Sequence, residues 1–156
     1  MRIKVSKLSR LIIQLIIIKL ISSCTPQSCL QETTSFLNAG FYKTGTNTPQ
    51  APDSISIYGI GKETNMLYNK ALNLTSVNLP LNVSSGSCSF VLKINNITDT
   101  VRFIYSSYPY LISKECGITF NFSIDSVMVS GNVIDTIAVT NKNISIFNAE
   151  NIRIFY

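Results

Sequence analysis

Ser87-Cys88-Ser89-Phe90-Val91-Leu92-Lys93-Ile94-Asn95 and, after residues 96–99, Thr100-Val101-Arg102-Phe103-Ile104-Tyr105-Ser106 are the stretches that decide the fold. In both, apolar and polar side chains alternate, β-branched and aromatic residues dominate, and Asn and Asp stand between the runs. A period of two residues places alternate side chains on opposite faces, as in a half-buried strand. In the first run it sets Cys88 on one face with Phe90 and Leu92.

The same texture extends outward in both directions. Strands are expected at 37–43, 54–58, 66–68, 87–95, 100–106, 117–124, 127–129, 133–140, 144–147 and 152–156. No segment carries a sustained 3.6-residue stripe. The nearest is 63–74, where Asn65, Asn69 and Asn73 disfavour a helix. Short strands without helical crossovers imply an all-β domain with antiparallel pairing, as a β-sandwich or an open barrel. The length of 156 residues fits one such domain, here 36–156. Residues 24–35 are polar and aperiodic and read as a tether.

The first 23 residues have another character. Arg2, Lys4, Lys7, Arg10 and Lys19 precede any acid, and the run from Leu11 to Ile18 is apolar apart from Gln14. This is the layout of a signal peptide. A spanning helix needs about 20 apolar residues, and this run is shorter and interrupted. Ile21-Ser22-Ser23-Cys24 then has the form of a bacterial lipobox, with small residues beside the cut and a thiol to receive lipid. Cys24 is the expected lipidation site, and a membrane the expected partner. One acyl chain binds marginally, whereas two or more hold stably.

The net charge of +5 follows from the same segment. Without those five cations, 8 of the 13 basic residues remain, against 8 acids. A formally neutral remainder without clustered Lys and Arg in its sequence argues against nucleic acid as a partner.

Four cysteines are present: Cys24, Cys29, Cys88 and Cys116. With Cys24 lipidated, the other three make one disulfide and one spare thiol. Chain entropy does not choose among the pairs, at roughly 4.6 kcal/mol for Cys29–Cys116, 4.3 for Cys29–Cys88 and 3.6 for Cys88–Cys116. Context favours Cys29–Cys116, because Cys88 lies on an apolar strand face and Cys116 precedes Gly117 at a turn.

Much catalytic chemistry is missing. Histidine is absent, which removes the commonest general base and metal ligand and the usual triads. No cysteines have close metal-ligand spacing that spares Cys24, so neither a metal nor a cofactor is expected. Gly59-Ile60-Gly61 is too short for a phosphate loop. Asp53, Asp99, Asp125 and Asp135 read as turn acids, and Tyr105, Tyr108, Pro109 and Tyr110 as an aromatic loop anchored on the core.

Four triplets repeat Asp, a hydroxyl residue and a branched apolar residue, beginning at Asp53, Asp99, Asp125 and Asp135. The simple account is a turn followed by a strand start. The sharper one makes Ser54, Thr100, Ser126 and Thr136 acceptors of O-glycans on an exported bacterial protein. Five Asn-x-Ser/Thr triplets, at Asn73, Asn82, Asn96, Asn121 and Asn143, carry little weight in such a protein.

A wider pattern runs through the chain. It comprises the lipobox at Cys24, a second cysteine, Phe41-Tyr42, and Asp53 through Gly61. Leu79-Pro80-Leu81-Asn82, Asp99-Thr100-Val101, Ile112-Ser113 before Cys116-Gly117, and Asn151-Ile152-Arg153-Ile154 continue it. In this order they resemble a domain-of-unknown-function family of small envelope lipoproteins from Bacteroidetes-type bacteria. The resemblance implies a β-type lipoprotein without assigned activity, pairs Cys29 with Cys116, leaves Cys88 outside the pattern, and supplies no catalytic residue.

The expected function is therefore a lipid-anchored envelope protein, a non-enzymatic binding or structural module facing an unidentified envelope protein or glycan. Its expected place is the outer membrane, facing the periplasm. Two alternatives stand beside it. A small carbohydrate-active hydrolase would bring two carboxylates to about 5–10 Å in a cleft. A subunit of an outer-membrane complex would expose a large apolar patch.

Overall fold

The computed structural model describes residues 29–156. The expected signal peptide, the expected lipidation site Cys24 and the first residues of the expected tether lie outside the described residues. From Gln31 onward the chain forms one unit. It is all-β, with ten strands in two sheets and no helix among the described residues.

The smaller sheet contains β1 (Phe36–Tyr42), β4 (Ser76–Pro80), β8 (Thr136–Val139) and β10 (Glu150–Phe155), in the order β4-β1-β10-β8. The larger contains β2 (Ile55–Gly59), β3 (Tyr68–Ala71), β5 (Ser87–Ile94), β6 (Ile97–Ser113), β7 (Gly117–Val129) and β9 (Asn143–Ile144). Its order is β3-β2-β5-β6-β7-β9, and it curls as a half-barrel.

Alternation sets the core. Leu37, Ala39 and Phe41 of β1, Val77 and Leu79 of β4, and Ile152 and Ile154 of β10 face in from the smaller sheet. Phe90, Leu92 and Ile94 of β5 and Val101, Phe103 and Tyr105 of β6 face them from the larger one. Burying each large apolar side chain stabilises the fold by about 1.5–3 kcal/mol. Ile94 pairs with Ile97 across a turn in which Asn95 and Asn96 have φ of 46° and 70°. Two consecutive positive φ values make a type I′ turn, whose twist matches the strands it joins, and Asn tolerates that region.

Several expectations are corrected. Pairing is not uniformly antiparallel, because β1 and β10 run parallel, with Phe41 beside Ile154. A period of two specifies faces but not strand direction, and nearly the whole domain separates these two strands. The 66–68 strand is displaced to β3, and β4 forms where no strand is expected. Pro80 ends an edge strand, where a missing N–H costs no ladder bond. The runs 117–124 and 127–129 are one strand, β7. The run 133–140 shortens to β8, and 144–147 to β9.

The aromatic loop is also a strand. Tyr105, Tyr108, Pro109 and Tyr110 lie within β6, which reaches Ser113. β5 stops pairing at Ser87↔Ile104, so beyond that point β6 has an open edge that accepts a proline. β9 still pairs with β7 at Phe122 and Ser123, and from Tyr108 onward β6 and β7 form a two-stranded ribbon whose tip turns at Gly117, with φ of 74°. Ser113 Oγ accepts the N–H groups of Glu115 and Cys116 at 3.2 and 3.0 Å.

Candidate functional site

Cys29 and Cys116 form the disulfide, and among the described residues Cys88 is the free thiol. Cys88 lies beside the ring hydroxyl of Tyr105, which donates to Asn82 O at 3.0 Å and accepts from Asn82 N at 2.9 Å. Burial pushes the thiol up to about 11. Burial, with the neighbouring Cys88, pushes Tyr105 up to about 12. Both shifts favour the protonated forms, so the half-buried Cys88 is a weaker nucleophile at neutral pH than an ordinary thiol.

The same thiol lies at the wall of a cleft of about 490 Å³. The β2–β3 turn forms one rim, where Lys62 N donates to Gly59 O at 2.9 Å and Ile60 N to Ser89 O at 3.2 Å. Strand pairing sets Arg102 opposite Ser89. Lys62 and Arg102 thus line the cleft together with exposed Ile60 and Leu67. Among the described residues no carboxylate lines it, and neither cation is in a salt bridge. The cleft can hold a ligand with a negative charge and an apolar part. Sequence reasoning missed this pair, since three strands, β3, β4 and β5, separate Lys62 from Arg102 along the chain and nothing local links them.

Two further clefts differ in character. One of about 450 Å³ on β2, β3 and β5 is lined by Lys70, Lys93 and polar side chains, again without an acid. Another of about 280 Å³ contains Glu32 as its one carboxylate. None of the three is lined by two carboxylates, the arrangement glycan hydrolysis needs. Among the described residues no three or more Cys, Asp or Glu gather as metal ligands.

The expected turn acids do different work. Asp99 is buried in β6 and accepts from Ser130 Oγ and from the N–H groups of Asn132, Val133 and Ile134 at 2.8, 2.7 and 2.8 Å. Burial alone would raise its pKa, but these four donors outweigh it and hold the carboxyl below its usual value. Asp99 closes no turn of its own; it organises a loop more than thirty residues downstream. Asp125 lies within β7, while Asp53 and Asp135 occupy loops. Of the hydroxyls in these triplets, Ser126 and Thr136 are exposed, and Ser54 and Thr100 half-buried. Asn121 is buried; the other four Asn-x-Ser/Thr asparagines are exposed.

A second polar cluster braces the smaller sheet. Glu150 accepts from Tyr42 Oη at 2.7 Å and from Arg153 Nε at 2.6 Å, and the Arg153 guanidinium lies 4.9 Å from the Tyr42 ring centre. The Glu150 hydrogen bond, followed by burial, raises the Tyr42 pKa. Gly40 makes room for this arrangement, since a Cβ there would meet Glu150 Oε2 and the Tyr42 ring.

The terminal motif also has a structural reason. Asn151 is 2% exposed, and its Oδ1 accepts Asn38 N at 3.0 Å where the parallel β1–β10 register shifts. Its Nδ2 donates to Asn141 O at 3.1 Å and Asn143 O at 3.0 Å. One side chain therefore links the smaller sheet to β9 of the larger.

No curated protein and no solved structure matches the chain. A family model described as a family of unknown function, DUF6452, matches residues 54–156, from the start of β2 through Asp99 and the Asn151 motif to the last residue. β1, Cys24 and Cys29 precede the matched stretch. With more than half of its 156 residues matched, the chain belongs to this family of unknown function, DUF6452.

Proposed function

We propose that the chain is an exported lipoprotein, cut before Cys24 and acylated on it, whose β domain is a binding module and not an enzyme. The observation that carries this reading is Ile21-Ser22-Ser23-Cys24 directly after a basic and then apolar segment. The disulfide five residues further on supports it, because such bonds persist in oxidising compartments. The segregation of the excess positive charge into residues 1–23 supports it as well. On this reading the protein sits in the outer membrane, facing the periplasm, and the cleft between Lys62 and Arg102 takes an anionic envelope ligand. Replacing Cys24 by Ser tests the anchor. Release of the protein from the membrane fraction is the expected result, and unchanged fractionation ends the lipoprotein reading.

A further inference from the structure

The ribbon of β6 and β7 beyond the core keeps the core's side-chain pattern but has nothing to bury it against among the described residues. Tyr105 and Phe122, packed edge to face at 5.6 Å between ring centres, are the last buried pair on the inward face. The pairs that continue that face toward the tip are Pro109↔Phe120 and Leu111↔Ile118. Leu111 is 61% exposed and Ile118 67%, far more than such side chains need to be in a sandwich. Tyr108 and Tyr110 stand exposed on the opposite face, and Lys114 at the tip.

The start of the domain runs to the same tip. Ser35 Oγ donates to Asn121 Oδ1 at 3.1 Å, and Thr119 Oγ1 donates to Thr33 O at 2.5 Å. Two residues toward the N-terminus correspond to two residues toward Gly117, so this segment descends alongside β7. Thr33 is nine residues from Cys24, and a fully extended chain spans at most about 3.6 Å per residue, or roughly 30 Å in all.

Resting on the lipoprotein reading above, we propose that the ribbon tip docks on the bilayer surface, with Leu111, Ile118 and Phe120 entering the boundary between headgroups and acyl chains. Tyrosines beside such an apolar face suit the interface, since their rings are apolar and their hydroxyls stay wet. Lys114 meets lipid phosphate. Interfacial segments bury their apolar face about 5–10 Å deep, within reach of a short ribbon. The anchor then does more than tether, because a second contact fixes which end of the domain faces the membrane.

The chain contains no tryptophan, so Ile118→Trp places a single fluorescent reporter at the tip. Ile97→Trp is the control. Ile97 is 48% exposed at the other end of β6, about 45 Å away at the usual rise per residue. Each variant is expressed from the full-length sequence in its native host, and the purified product is mixed with phosphatidylethanolamine–phosphatidylglycerol vesicles carrying brominated acyl chains. The tip reporter is expected to be quenched at least about twofold with blue-shifted emission, and the control reporter to be unchanged. Vesicle-bound protein whose two reporters respond alike overturns the docking while leaving the anchor standing. Protein that fails to sediment with vesicles overturns the lipoprotein reading and the docking with it. A blue shift of the tip reporter without lipid quenching, relaxing on dilution into excess vesicles, assigns the face to a second copy and also overturns the proposal.

Discussion

The Asp99 carboxylate accepts the backbone N–H of Ile134 at 2.8 Å, joining β6 to the loop before β8 across thirty-five residues. Ile134 is fully buried, so this bond fixes a core side chain as well as a loop. Because the carboxyl pKa is lower folded than unfolded, its stabilisation is complete above the unfolded value near 4 and is lost as pH falls through the folded value. Urea midpoints should be flat above about pH 5 and drop in acid. Asp99→Asn should cost about 2–4 kcal/mol at pH 7 and flatten the acid limb. An acid limb unchanged in the variant would assign that titration elsewhere.

Cys88 should react slowly. A thiol raised from 9.0 to about 11 carries roughly 100-fold less thiolate at neutral pH. Alkylation of the folded protein, followed by mass spectrometry, should be slower than that of the urea-unfolded chain by at least this order. Equal rates would mean that the thiol is open to solvent and Tyr105 does not cover it.

Asn151→Ala should lower stability by about 2–3 kcal/mol, since it orphans the Asn38 N–H as well as removing two donated bonds. Asn38→Ala keeps that N–H and loses only side-chain bonds to Asn78 and Asn148, so its cost should be below about 1 kcal/mol. Thermal unfolding of both variants separates the two roles.

The cleft makes a charge prediction. Lys62→Ala and Arg102→Ala should each weaken binding of an anionic envelope glycan about tenfold with unchanged melting temperature, because both side chains are exposed at the cleft. Lys93→Ala, in a different cleft, should leave binding unaltered. Calorimetric titration against a panel of acidic and neutral glycans measures all three.

The sequence made the strand faces legible where alternation is clean. Phe90, Leu92 and Ile94 lie inward as their spacing requires, and Cys88 follows them. Partners distant in sequence were not legible. The parallel pairing of β1 with β10, the reach of Asp99 to Ile134, and the meeting of Lys62 with Arg102 depend on the closed fold. Pro109 misled for a local reason. Proline ends a central strand but is accepted on an open edge, and the edge exists only because β5 stops at Ser87. Asp99 resembled its exposed counterparts Asp53 and Asp135 in local sequence, and only burial among backbone donors distinguishes it.

The most direct measurement of the central claim is the intact mass of the protein purified from its native membrane. A lipoprotein gives a chain beginning at Cys24 whose mass exceeds that of residues 24–156 by the diacylglycerol and acyl groups on that cysteine. Hexose-sized increments would in addition show that the protein carries sugar, and peptide mapping would then test Ser54, Thr100, Ser126 and Thr136 as the acceptors. A mass equal to the unmodified chain, with residues 1–23 still attached or removed without acylation, would contradict the account.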